Sequence, residues 1–181
     1  MNSIFVLSYS IILFSILVVL TFYIARQILN SQKLETNVKK LQKNLKQSVY
    51  SNDDLYKLGQ LYLRKKLFNK ALLVFREALI CWDLNDKIGI GSLANTIGFT
   101  YFKLKKYNFA IYYYKVAVKI LPDYLLAFKN LAFVYESLSF FQDASNCYQN
   151  CLALDSTNDF FINRLKLIQR QLVLESTTSN K

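Results

Sequence analysis

The feature that most constrains this 181-residue chain is a phrase that occurs three times between residues 58 and 135. Leu58-Gly59-x-x-Tyr62 comes back as Ile97-Gly98-x-x-Tyr101, and 34 residues later as Leu131-Ala132-x-x-Tyr135. Nine residues past each Tyr stands an alanine: Ala71, Ala110, Ala144. Four further on is an aromatic (Phe75, Tyr114, Tyr148), and three beyond that a small residue (Ala78, Ala117, Cys151). A fixed period of this length marks a stack of like units, each too small to bury its own apolar face. Small residues at recurring places let a pair of helices cross closely, and the aromatics fill the space between neighbours.

The pattern resembles the tetratricopeptide repeat (TPR), over Asn52 to Asn158 in three copies. Pro122, five residues past Ala117, would end the second copy, since proline cannot continue a helix. The expected fold is all-α: an N-terminal transmembrane helix, a helical stalk, and an α-solenoid of three helix pairs closed by a capping helix. The copies depart from the family pattern in places. Leu55 stands where the family often has Trp, Asp83 and Ser156 replace the closing Pro, and Ala132 replaces Gly. Gly59 and Gly98 lie 39 apart rather than 34, so an insertion around residues 85–91 is expected as a longer helix pair or a short loop. The repeats are placed at 52–85, 91–124 and 125–158. A capping helix follows over 159–174, with Phe160, Phe161, Leu165, Ile168 and Leu172 inward and Asn163, Arg164, Lys166 and Arg170 toward water. A flexible tail is expected over 175–181.

The other end of the chain is of a different kind. After a stub (1–3), Ile4 to Ile24 carries no charge, and 15 of its 21 residues are Leu, Ile, Val or Phe. As a helix it would span about 31 Å, the hydrocarbon thickness of a bilayer. Its insertion is favourable by roughly 5 to 9 kcal/mol before the hydroxyls are discounted. A cleaved signal peptide would carry a basic residue ahead of a shorter apolar core; here Arg26 is the first, and Tyr23-Ile24-Ala25 is a poor cleavage site. The reading is an uncleaved anchor over 4–25 and a basic stalk over 26–51. Arg26, Lys33, Lys39, Lys40, Lys43 and Lys46 stand against Glu35 alone, which puts the repeats on the side of synthesis. Lys33 would lie about 14 Å past Ile24 and Lys46 about 33 Å, so most of these charges are beyond a Debye length of about 8 Å from lipid. Leu34, Val38, Leu41, Leu45 and Ser48 alternate at spacings of four and three, a stripe that could pack on the first repeat or pair two copies of the chain.

Chemistry is sparse. The chain has no histidine and shows no phosphate cradle, nucleophile elbow or carboxylate cluster, so no catalytic residue, cofactor or metal is expected and the protein is read as a non-enzyme. Cys81, Cys147 and Cys151 form no CxxC pair. Cys147 and Cys151, four apart on one helix, are read as small apolar fillers. The net charge of +11 is divided between stalk and repeats without a nucleic-acid module, which leaves a solvated surface.

What remains is binding of another protein. In the repeat family the first helix of each pair lines a concave groove. By that register the groove would carry Tyr56, Gln60 and Arg64, then Asn95, Phe99, Phe102 and Lys103, then Lys129, Phe133 and Glu136. The same aromatics could equally pack between helices. As a groove, this set suits an extended or helical partner segment, apolar with some acidic character. The family's clamp for acidic chaperone tails has no counterpart here: Tyr56, Gln60, Leu126 and Asn130 stand at its positions. Lys outnumbers Arg 18 to 5, with 14 Phe and 13 Tyr against four Gly and one Pro, the bias of an AT-rich genome such as a plastid's. Anchor, stalk and three repeats together resemble the plastid- and cyanobacterium-encoded TPR proteins that assist photosystem I assembly. That resemblance implies a thylakoid anchor, with the repeats in the stroma holding photosystem I subunits or intermediates. An organelle receptor for targeting peptides and a bacterial membrane scaffold are the alternatives.

Overall fold

The computed structural model describes residues 2–46 and 51–179. Among the described residues the chain forms eight helices and no strand. It divides into two compact units, Met1–Val49 and Tyr50–Lys181.

The first unit is one helix, α1 (Asn2–Lys46). The apolar and basic segments are therefore one continuous helix, because neither Gly nor Pro occurs before Gly59 to interrupt them. At 1.5 Å per residue its 45 residues run about 68 Å. It contains an 18-residue window of mean hydropathy 2.2, long and apolar enough to cross a membrane. The hydroxyls inside that stretch turn back on their own helix: Ser15 Oγ donates to the Ile12 carbonyl (2.7 Å) and Thr21 Oγ1 to that of Val18 (2.9 Å). Such back-bonding lowers the cost of carrying a hydroxyl in an apolar medium. Leu34, Val38 and Leu41 of the stalk stripe fall on one helical face; the side chains of Leu45 and Lys46, and all of Ser48, lie outside the described residues.

The second unit is the solenoid. Three pairs follow in order: α2 (Asn52–Arg64) with α3 (Phe68–Cys81), α4 (Lys87–Lys103) with α5 (Tyr107–Ile120), and α6 (Leu125–Ser137) with α7 (Phe141–Leu154). The last helix, α8 (Asp159–Ser179), packs on α7, and α4 also meets α6. Every small residue in the repeating phrase is buried, and so is the aromatic of each B helix, Phe75, Tyr114 and Tyr148. The glycines show why. A Cβ on Gly59 would come within 2.3 Å of the Phe75 ring, and one on Gly98 within 2.8 Å of Tyr114.

The turn inside each pair is built the same way. The N–H of Leu67, Lys106 and Phe140 donates to the carbonyl of the repeat's own Tyr62, Tyr101 and Tyr135 (2.9, 3.0 and 2.9 Å). The residue before each, Lys66, Lys105 and Ser139, sits in the left-handed region at φ 58°, 58° and 60°. This is a Schellman closure, which ordinarily uses glycine at that place.

One open alternative is decided and one expectation changes. The extra residues between the first two repeats add a helical turn to α4 rather than a loop: it has 17 residues where α2 and α6 have 13, and begins at Lys87 rather than 91. Asp86 makes this possible by capping the added turn, accepting from Gly89 N–H (2.8 Å) and from Trp82 Nε1 (2.9 Å). At the other end α8 continues five residues past 174. Nothing in 175–179 breaks a helix, and Thr177 Oγ1 bonds back to the Leu174 carbonyl (2.7 Å), so the expected flexible tail is helical as far as Ser179.

Candidate functional site

The A helices α2, α4 and α6 carry the ten residues that the repeat register assigns to a groove, and the structure puts them to two different uses. In the first half they surround a cavity of about 550 Å³. The last turns of α2 supply Gln60, Leu63 and Arg64; the left-handed turn supplies Lys66; α3 opens with Phe68; and α4 contributes Phe99 and Lys103. The Lys103 ammonium sits over the Phe99 ring, 5.0 Å from its centroid. Gln60 Nε2 is held by Tyr56 Oη at 2.9 Å, and Tyr56 lies 3.5 Å from the Thr96 hydroxyl of α4. The lining is thus aromatic and aliphatic with three cations, and no carboxylate belongs to it among the described residues. The sequence makes that imbalance wide: no Asp or Glu occurs between Asp54 and Glu77, or between Asp86 and Asp123.

In the second half the corresponding side chains are already engaged. Asn95 is only 6% exposed, and its Oδ1 accepts from Asn130 Nδ2 (2.9 Å), linking α4 to α6. Phe102 packs against the core and meets Phe133 edge-on at 5.6 Å. Glu136 accepts from Tyr148 Oη (3.1 Å) and is paired with Arg164 of α8. Lys129 lies over Phe160, 5.1 Å from the ring centroid. Phe160 and Arg164 therefore exchange the places expected of them. Phe160 is 46% exposed beneath a cation, while Arg164 turns to a carboxylate, because α8 presents Phe161, Leu165 and Ile168 as its buried face. Asn95 and Glu136 are structural ties, not open groove positions.

Three cavity residues escaped the register. Leu63 and Phe68 are one and four positions away from Arg64, an assigned residue, and Lys66 belongs to a turn. The signal available was the run Arg64-Lys65-Lys66-Leu67-Phe68, which puts charge and ring on either side of the pair's closure.

Two of the cysteines are buried fillers. Burial pushes the Cys147 thiol up to about 11 and the Cys151 thiol up to about 12, so both stay protonated near neutrality. Burial raises the Tyr114 phenol as well. Among the described residues no group of His, Cys, Asp and Glu comes together to hold a metal.

No protein-family model matches the chain. The ycf37 protein of Guillardia theta is 35% identical over 164 residues, covering 91% of this chain and 90% of its own. That of Cyanophora paradoxa is 31% identical, covering 93% and 98%. The chloroplastic TPR domain-containing protein PYG7 of Arabidopsis thaliana is 30% identical over 94% of this chain, which spans 58% of that longer protein. Among solved structures, MamA superposes with a TM-score of 0.70 at 18% identity, covering 81% of this chain and 83% of its own. The first TPR domain of RPAP3, bound to an HSP90 peptide, gives 0.59 at 21% over 67% and 93%. At such identities the structures speak for the fold alone, and that fold is the TPR solenoid. The chain belongs to the ycf37 family of tetratricopeptide-repeat proteins.

Proposed function

We propose that this protein is a membrane-anchored adaptor. The apolar part of α1 holds it in the thylakoid membrane, and the solenoid on the stromal side grips subunits or intermediates of photosystem I during assembly. The observation that carries this reading is the pairing, in one chain, of an unbroken membrane-length helix with a repeat stack whose first half keeps an open, unneutralised groove. A chloroplastic relative supports the compartment. The excess of cations just after the apolar segment supports the orientation, and the AT-rich composition together with the layout of anchor, stalk and three repeats supports the photosystem. In this reading Tyr56, Gln60, Arg64, Phe99 and Lys103 meet the partner. Phe102, Lys129 and Phe133 border the groove where it closes toward α8.

The test is to tag the protein in its own organism, solubilise the membranes gently and identify what co-purifies. Photosystem I subunits in complexes smaller than the mature one are the expected result. Import or division proteins in their place would overturn the photosystem assignment and leave an anchored adaptor for another client.

A further inference from the structure

The cavity between the first two repeats has a chemistry more specific than a groove in general. We propose that it reads an internal acidic residue lying next to an apolar side chain in the partner segment. The inference rests on the adaptor reading and names what that adaptor recognises. The floor is built from Leu63, Phe68 and Phe99, which would take an aliphatic or aromatic side chain out of water. Arg64, Lys66 and Lys103 stand around it, and the lining holds no carboxylate to neutralise them. A carboxylate beside the apolar anchor would gain charge-assisted hydrogen bonds, stronger than neutral ones, from these exposed cations.

Charge complementarity also selects the occupant. The opposite edge of the solenoid, where A helices begin and B helices end, carries Asp53, Asp54, Asp83, Asp86 and Asp123, so an acidic segment is steered to the turn edge of the first two repeats.

The experiment uses the full chain in phosphatidylcholine nanodiscs. A library of random 12-residue segments, displayed with both ends fused to a carrier so that no free terminus exists, is selected on the wild type and on Arg64→Gln/Lys103→Gln. Expected is enrichment of Asp or Glu adjacent to Phe, Leu, Ile or Val on the wild type alone. For a recovered segment, replacing its acid by the amide should weaken wild-type binding at least tenfold and the double variant's less than twofold. Lys57→Gln, a cation at the far end of α2 paired with Asp53, should keep the full difference. Lys66→Gly guards against misfolding: it suits the turn, so the fold should gain stability while the acid preference falls.

Equal enrichment of acids and amides, or an acid preference that survives in the double variant, would overturn the inference. Segments without acids that bind and are lost on Phe99→Ala would overturn it too, leaving the adaptor reading intact. Capture of dihexanoylphosphatidylglycerol by the wild type alone, with no acidic segments enriched, would replace it by a lipid site.

Discussion

The two halves of the solenoid use the same register for opposite ends. Where repeats one and two meet, part of the inward surface of the A helices remains open: Arg64 and Lys103 flank a cavity lined by Phe99. In repeat three the inward positions are engaged by neighbouring helices. Glu136 is taken by Arg164 and Lys129 by Phe160, both of α8, and Phe133 meets Phe102 of α4 edge-on. The buried cluster that runs from Tyr114 through Tyr148 to Ile168 continues into α8 without a break. A solenoid must end somewhere, and its last unit spends groove residues on holding the cap. The difference teaches that position within a repeat specifies where a side chain stands, while position along the stack decides whether it is free to bind.

The largest effect should come from the closed half. Tyr148→Ala removes a fully buried ring and the hydroxyl bonded to Glu136, and should cost about 3–5 kcal/mol in urea unfolding followed by circular dichroism. A loss below 1 kcal/mol would mean the closed half is not the stable one. Next, Arg164→Met strips the partner from a half-buried carboxylate and should cost about 1–3 kcal/mol, whereas Arg64→Met in the open half should stay within about 0.5 kcal/mol. Equal losses at the two sites would erase the distinction.

Smaller effects sharpen it. Gly59→Ala puts a methyl against the Phe75 ring; about 1–3 kcal/mol of overpacking, offset by about 1 kcal/mol of helix propensity, leaves a net loss near 1 kcal/mol. The same register position in repeat three already holds a buried alanine, so Ala132→Gly should lose stability by propensity alone, about 0.5–1 kcal/mol. Lys105→Gly relieves a left-handed lysine and should raise stability by about 0.5–1 kcal/mol. The smallest effect concerns the linker. Bonds from the Gly89 N–H and then the Trp82 indole hold the Asp86 carboxyl below its ordinary range. A depressed carboxyl contributes stability that is present above its unfolded pKa and is lost as pH falls through the folded one. The fluorescence of Trp82, the chain's single tryptophan, should therefore change only at pH below the usual carboxylate range, and Asp86→Asn should remove that step.

Much of this architecture was legible in the residues. The pattern of Gly59, Ala71, Phe75 and Ala78, a small residue, an alanine, an aromatic and another small residue, recurs in both later repeats and encodes a helix pair through sterics that act within some twenty residues. The apolar stretch after Ile4 is legible for the same local reason. What was hidden depends on distant partners. Glu136 reads as a groove acid until Arg164, 28 positions later, is brought beside it by the packing of α8. Asn95 reads as a groove amide until Asn130 reaches it across the stack. The added turn of α4 hinged on one cap at Asp86, and the run of α8 through 175–179 on the lack of any breaker, details that periodicity does not register.

The most direct test of an adaptor with an open first half is site-specific photo-crosslinking. Benzoylphenylalanine would be placed at Phe99, or at Phe160 as the closed-half control, and irradiated in membranes of the protein's own organism. The account predicts a discrete adduct to a second protein from position 99 and little or none from position 160. Adducts of equal yield from both positions, or none from position 99, would contradict it.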